Sequence, residues 1–379
     1  MVQKPFPKAR QPKKVVKATP KPEPAPAGSQ AGIASQQLIL NVFQHAFNDL
    51  LRSDTLAAAL QEVKQALFNR EFDKAFGNEA NLEVYAARWS PTRALCYESV
   101  LRMIRPHLDP ICLPDPPPGD DDGAATPGPQ TLRVVAIGGG AAELVALGGF
   151  LRRTGGGGDD DDDDGADRDF PLRGSILLLD SAPWAAVVAR LRECLTTPPP
   201  LSRYASAAAR EASRPAVEAD RLSTAFEQVD VLALGRTGLS AHVGGGGRPV
   251  LATLLFTLNE LFTAGGVGKT AAFLLDLTAA LPAGSLLLVV DSPGSYSEAE
   301  VGKQARRYPA QWLLDRVLLP TGDAPVVEGR SWTKLESCDS VWFRLSGALD
   351  YPIPLEDMRY QMHLYRVDGT DAESTESTD

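Results

Sequence analysis

The chain has 379 residues, 44% of them apolar, enough for one large folded domain with an accessory region. No stretch approaches the roughly 18 uninterrupted apolar residues of a membrane span, and no apolar signal-peptide core follows the first charges, so a soluble intracellular protein with no membrane partner is expected. The formal charge of -10 argues against strong nonspecific RNA binding, and four scattered cysteines without CxxC spacing (Cys96, Cys112, Cys194, Cys338) suggest neither a disulfide framework nor a zinc site.

Residues 1–30 read as a disordered basic arm, with Lys4, Lys8, Arg10, Lys13, Lys14, Lys17 and Lys21 among prolines and no acid before Glu23. Such an arm is a nuclear-targeting or phosphate-binding tether, or simply a solubilising tail. Residues 31–109 read as a helical accessory region, because apolar residues recur at helical spacing in LILNVFQHAFNDLL and LAAALQEVKQALFNREFDKAF. Within it RWSPTRAL predicts a helix start at Pro91, with Ser90 as N-cap. Arg88 and Arg93 beside that start either bind phosphate, close a ligand pocket, or pair with acids to fix the region in place. Residues 110–130 are a Pro/Gly/Asp linker, 131–370 the main domain, and 371–379 a disordered tail. Six consecutive aspartates within 155–169 repel one another, so that run is expected to be a flexible insertion without a catalytic role.

From residue 131 the pattern alternates strand and helix. Short apolar runs predict strands at 132–138, 175–180, 222–230, 250–258, 285–292, 340–345 and 358–367, the first five separated by helices and the last two forming an antiparallel pair. Five βα units closed by a hairpin predict an α/β fold with a seven-stranded class I, Rossmann-like methyltransferase sheet preceded by a helical region. A nicotinamide-binding domain more often continues βαβ to a sixth strand.

After the first strand comes Gly138-Gly139-Gly140-Ala141-Ala142-Glu143, where strand turns into helix. Glycines there let backbone approach a ligand at a helix N-terminus. Glu143 occupies the place where a dinucleotide fingerprint wants its third glycine, whereas the looser S-adenosylmethionine pattern G-x-G-x-[GA] fits as Gly138, Gly140 and Ala142. Asp180 ends the second predicted strand, placed to accept from ribose hydroxyls, and Asp230 ends the third, placed to accept from an adenine amino group. Each aspartate alone is also a plausible helix cap. Thr263 to Thr270, TAGGVGKT, resembles a P-loop, but Thr263 stands where glycine is required and NELFT separates the motif from its strand. An NTPase is therefore a minor alternative.

YAARWSPTRALCYESVL (85–101), FTLNELF (256–262) and LLLVVDSPGSYS (286–297) together resemble a family of fungal class I methyltransferases that includes enzymes of large-subunit ribosomal RNA uridine N3. The resemblance runs from about residue 33 to 367. It implies S-adenosylmethionine as methyl donor, ribosomal RNA or a preribosome as partner, and a nuclear, nucleolar location, with the cytoplasm as the alternative. Many class I enzymes carry an acid two residues before the first glycine; here that residue is Ala136, and neither Glu143 nor Arg133 is assigned its place.

The acceptor base is expected at the ends of the fourth and fifth strands, which supply Asn259, Glu260 and Asp291. Uridine N3 bears an imide proton, so a carboxylate is useful there as general base, with Glu260 and Asp291 the candidates and helix capping their bland alternative. A methyltransferase acting on a protein or small molecule, or a noncatalytic scaffold, would share this donor pattern.

Overall fold

The computed structural model describes residues 30–114, 128–154, 171–319 and 327–369, except 202, 208–209, 211–212, 245–246, 295 and 302–303. The basic arm, most of the linker, the insertion at 155–169 and the tail lie outside the described residues.

Among the described residues ten strands follow one another: β1 (Leu113–Pro114), β2 (Gln130–Ile137), β3 (Arg173–Asp180), β4 (Leu222–Gln228), β5 (Leu251–Leu255), β6 (Leu286–Asp291), β7 (Tyr296–Val301), β8 (Gln304–Pro309), β9 (Arg330–Phe343) and β10 (Met358–Gly369). The main sheet runs β4-β3-β2-β5-β6-β10-β9, with the short β1 added on β2. β2 to β6 are parallel, and β10 lies antiparallel between β6 and β9. This is the expected α/β class I sheet, seven strands plus β1. Chain order leaves β2 in opposite directions toward β3 and β5, which opens a crevice at the carboxyl ends of these strands. Every residue of β5 and β6 is buried, as continuous apolar runs require when helices cover both faces.

Two cores flank the sheet. On one face Leu40, Phe43, Leu82, Leu95 and Ile104 of the helical region share a cluster with Leu132, Leu147, Ile176 and Leu288. Helix Ser90–Met103 packs on helix Ala141–Arg153, and a nearly buried ion pair, Glu98 to Arg153 at 3.1 Å, joins them. The helical region is thus a layer of the same core. On the other face helices Gly235–Val243, Leu258–Ala280 and Ala310–Leu318 pack over Val135, Leu254, Leu287 and Tyr365. Among the described residues no helix is long and apolar enough to cross a membrane.

Several boundaries differ from the sequence reading. β9 begins at Arg330, ten residues before the predicted strand, because its early positions alternate with exposed polar side chains and form no apolar run. The hairpin of β7 and β8 and helix Ala310–Leu318 were not expected. Ser90 is the first residue of its helix rather than its cap, and Trp89 occupies the cap position without a side-chain hydrogen bond. β5 stops at Leu255, so Asn259 and Glu260 occupy the first turn of helix Leu258–Ala280. The P-loop-like residues lie inside this helix, which kinks at Gly266 (φ 71°), rather than in a loop springing from a strand.

Candidate active site

The glycine turn is shaped by its neighbours. Gly138 has φ +66°, and a Cβ there would lie 2.3 Å from Thr257 Cγ2. Its N–H donates to Leu179 O at 2.7 Å, tying the turn to the end of β3. A Cβ on Gly140 would come 2.9 Å from the Trp184 ring. Gly140 caps helix Ala141–Arg153, and its N–H donates to Glu143 Oε2 at 2.9 Å, the backward half of a capping box.

Beside this turn lies a cleft of about 830 Å³, in the size range of small-molecule sites. Gly138, Gly140, Ala142, Glu143, Asp180 and Asp230 all line it, as do Tyr85, Arg93, Trp184, Phe256 and Glu260. The structure therefore gathers the five residues assigned to the donor around one cavity. Asp180 Oδ1 accepts from Ala182 N–H at 2.7 Å, and burial pushes its carboxyl up to about 7 despite that bond. Asp230 stands two residues beyond β4, exposed at the rim, where its Oδ1 accepts from Leu232 N–H at 3.0 Å.

The three residues assigned to the acceptor side separate. Glu260 lines the cleft, half-buried, with no hydrogen-bond or ion-pair partner among the described residues. Burial pushes its carboxyl up to about 7; Arg93 pulls it down, and Asp180 and Asp291 push it further up. Asp291 is buried outside the cleft lining, and its two oxygens accept from Asn259 N–H at 3.1 Å and Ser292 N–H at 2.7 Å. Those contacts join the end of β6 to the first turn of the helix that carries Glu260. Asn259 also lies off the cleft, its Oδ1 buried without a hydrogen-bond partner among the described residues.

Sequence reasoning gave no role to Tyr85, Trp184, Phe256 and Thr257, and left Arg93 and Glu143 undecided. Phe256 directly follows β5 with φ 60°, a strained value for an aromatic residue, while its N–H donates to Val290 O at 2.7 Å. Arg93 lies 4.5 Å from its ring centroid and 5.4 Å from that of Tyr85. The local signals available were the capping-box spacing of Gly140 and Glu143 and, for Arg93, its place beside the helix start at Pro91.

Residues 43–366 match the family model described as "Putative SAM-dependent methyltransferase". The chain belongs to this methyltransferase family. The 25S rRNA (uridine(2843)-N(3))-methyltransferase of Saccharomyces cerevisiae is 29% identical over 375 residues, covering 95% of this chain and 91% of that protein. Among solved structures, an O-methyltransferase family protein from Burkholderia thailandensis aligns at 14% identity and TM-score 0.32 over 90% of this chain and 72% of its own. A S-adenosylmethionine-dependent methyltransferase from Clostridium acetobutylicum aligns at 8% identity and TM-score 0.32 over 80% and 98%. At these TM-scores the fold assignment rests on the strand order and the family match.

The methyltransferase's cofactor is S-adenosylmethionine, and the cleft fits it. A glycine turn without room for Cβ atoms, a helix N-terminus and two strand-end carboxylates surround a cavity of the required size.

Proposed function

We propose that this methyltransferase modifies N3 of a uridine in large-subunit ribosomal RNA, free or within a preribosome, in the nucleus or nucleolus. The substrate class is that of the yeast relative, whose similarity extends over nearly the whole of both chains. The donor-side roles follow from position: Gly138, Gly140 and Ala142 admit the cofactor's backbone-facing side, Asp180 accepts from the ribose hydroxyls, and Asp230 accepts from the adenine amino group. When bound, S-adenosylmethionine supplies an electrophilic methyl group on a sulfonium sulfur.

The observation that carries the acceptor chemistry is Glu260. A cleft carboxylate without a hydrogen-bond or ion-pair partner among the described residues, raised to about 7 by burial, is matched to receive a proton near neutral pH. Uridine N3 becomes nucleophilic only when its imide proton leaves, and in this reading Glu260 takes it. Asn259 and Asp291 act behind it: Asp291 holds the helix start at Asn259 through the 3.1 Å bond and so positions the turn bearing Glu260.

Mapping methylated nucleotides in ribosomal RNA from cells with and without the protein tests this reading. Loss of one N3-methyluridine in the large-subunit RNA, restored by wild type and not by Glu260→Gln, is the expected result. Unchanged ribosomal RNA, with methyl transfer to protein or a small molecule instead, would overturn the substrate assignment.

A further inference from the structure

An arginine withdrawn from water is usually paired with an acid or held for an anion, because stripping its hydration costs several kcal/mol. The arginines around the helical region obey this rule: Arg88 pairs with Glu356 at 2.8 Å, Arg153 with Glu98 at 3.1 Å and Arg190 with Glu83 at 2.7 Å. Arg93 departs from it. It lies half-buried on the cleft wall and has no ion-pair partner among the described residues. Its contacts are cation–π contacts to Phe256 and Tyr85 and a hydrogen bond that its Nη1 donates to the Tyr85 hydroxyl. Burial disfavours the Arg93 charge, but the fields of Tyr85, Tyr97, Glu260 and Glu143 raise its pKa overall, so the charge persists. The aromatic contacts fix the guanidinium plane and use one of its five N–H donors. The rest suit a planar anion such as a carboxylate.

An acid lies in the same field. Glu143, in the first turn of helix Ala141–Arg153, lines the cleft; burial raises its carboxyl pKa overall, while the backbone N–H groups of Gly140 and Glu143 and the nearby Arg93 charge favour its ionised form. Its Oε2 accepts from Gly140 N–H, which anchors the side chain beside the glycine turn. The residue two places before Gly138 is Ala136, fully buried and unable to contact a cation. A positively charged ligand group at this turn must find its acid elsewhere, and the Glu143 carboxylate is hydrogen-bonded to the turn itself, at Gly140 N–H.

We propose that Arg93 and Glu143 together form the subsite for the α-amino-acid end of the methyl donor, Arg93 receiving the carboxylate and Glu143 the ammonium group. A zwitterion calls for a cation and an anion within reach of one ligand, and Arg93 and Glu143 line the same cleft. The inference rests on the reading of the cleft as the donor site. It makes the helical region a wall of that site, since Arg93 is carried by helix Ser90–Met103 while every other assigned donor residue comes from the sheet domain.

Calorimetry on the full chain with S-adenosylhomocysteine and its decarboxylated counterpart tests the assignment. The wild type should bind the complete ligand roughly 10–100-fold more tightly, the range of a charge-assisted hydrogen-bonded contact. Arg93→Met should bind both at the weaker level, and Glu143→Gln should narrow the gap between S-adenosylhomocysteine and a deaminated analogue. Equal wild-type affinity for the complete and decarboxylated ligands would overturn the clamp, a comparison that needs no folded variant. If none of these ligands nor 5′-methylthioadenosine binds, the donor-site reading falls and takes the clamp with it. An Arg93→Met variant that keeps the ligand preference but shifts the pH profile of turnover would show that the guanidinium serves Glu260 instead, also overturning it.

Discussion

Asp180 and Asp291 both end a parallel strand of the same sheet, and their surroundings make them different groups. Asp180 ends β3 where the crevice opens, so one oxygen holds the turn at Ala182 while the side chain lines the cleft. Asp291 ends β6 beneath the start of helix Leu258–Ala280, where two backbone N–H groups occupy both its oxygens and 3% of it reaches solvent. On the proposed reading the donor half of the site uses a strand-end carboxylate directly. The acceptor half buries its strand-end carboxylate as a support and exposes Glu260 from the helix above. Strand-end position alone does not make a ligand group; the path of the crevice past it decides.

The largest effect should come from the group the acceptor half exposes. Glu260→Gln should keep donor affinity and lower turnover by roughly 10²–10⁴-fold, measured by single-turnover methyl transfer to ribosomal RNA. Wild-type turnover in this variant would remove the distinction between a reactive Glu260 and a supporting Asp291.

Asp291→Ala leaves two buried N–H groups without their charged acceptor and should cost roughly 2–4 kcal/mol of stability, read from urea unfolding. A variant as stable as wild type yet inactive would place Asp291 in the reaction. Asp180→Ala should weaken donor binding by roughly 1–3 kcal/mol in calorimetry with the fold intact. If its main effect is on unfolding instead, the two aspartates are alike after all.

The smallest effect is a pH slope. The folded carboxyl of Asp180 is raised to about 7 from an ordinary 3.8, so between these values the folded state holds a proton that the unfolded chain has lost. Stability therefore falls as pH rises across that window and levels above it. The ligand-free wild type should lose Tm more steeply from pH 4 to 7 than Asp180→Asn. Turnover should rise toward pH 7 as Glu260 loses its proton, and a flat profile would sink the base assignment.

The parallel strands, the glycine turn and the strand-end position of Asp180 were legible in the sequence because each is written locally. Apolar runs flanked by helices specify buried parallel strands, and a turn that brings backbone close to a ligand admits few residues besides glycine. The first ten residues of β9 escaped because an edge strand buries one face only, and the early start of helix Leu258–Ala280 escaped because the apolar run of the strand continues past Leu255 through Phe256 and Leu258. The division of labour among the acids was not local at all. Glu260 and Asp291 look equivalent in sequence, and only the docking of the helix start onto the end of β6 sealed one and left the other facing the cleft. Arg93 and Tyr85 lie roughly 45 to 53 residues before the turn they face, a proximity created by packing helix Ser90–Met103 against helix Ala141–Arg153. Local patterning fixes which elements form; which side chains share a cavity depends on contacts between distant segments, which no local window of sequence contains.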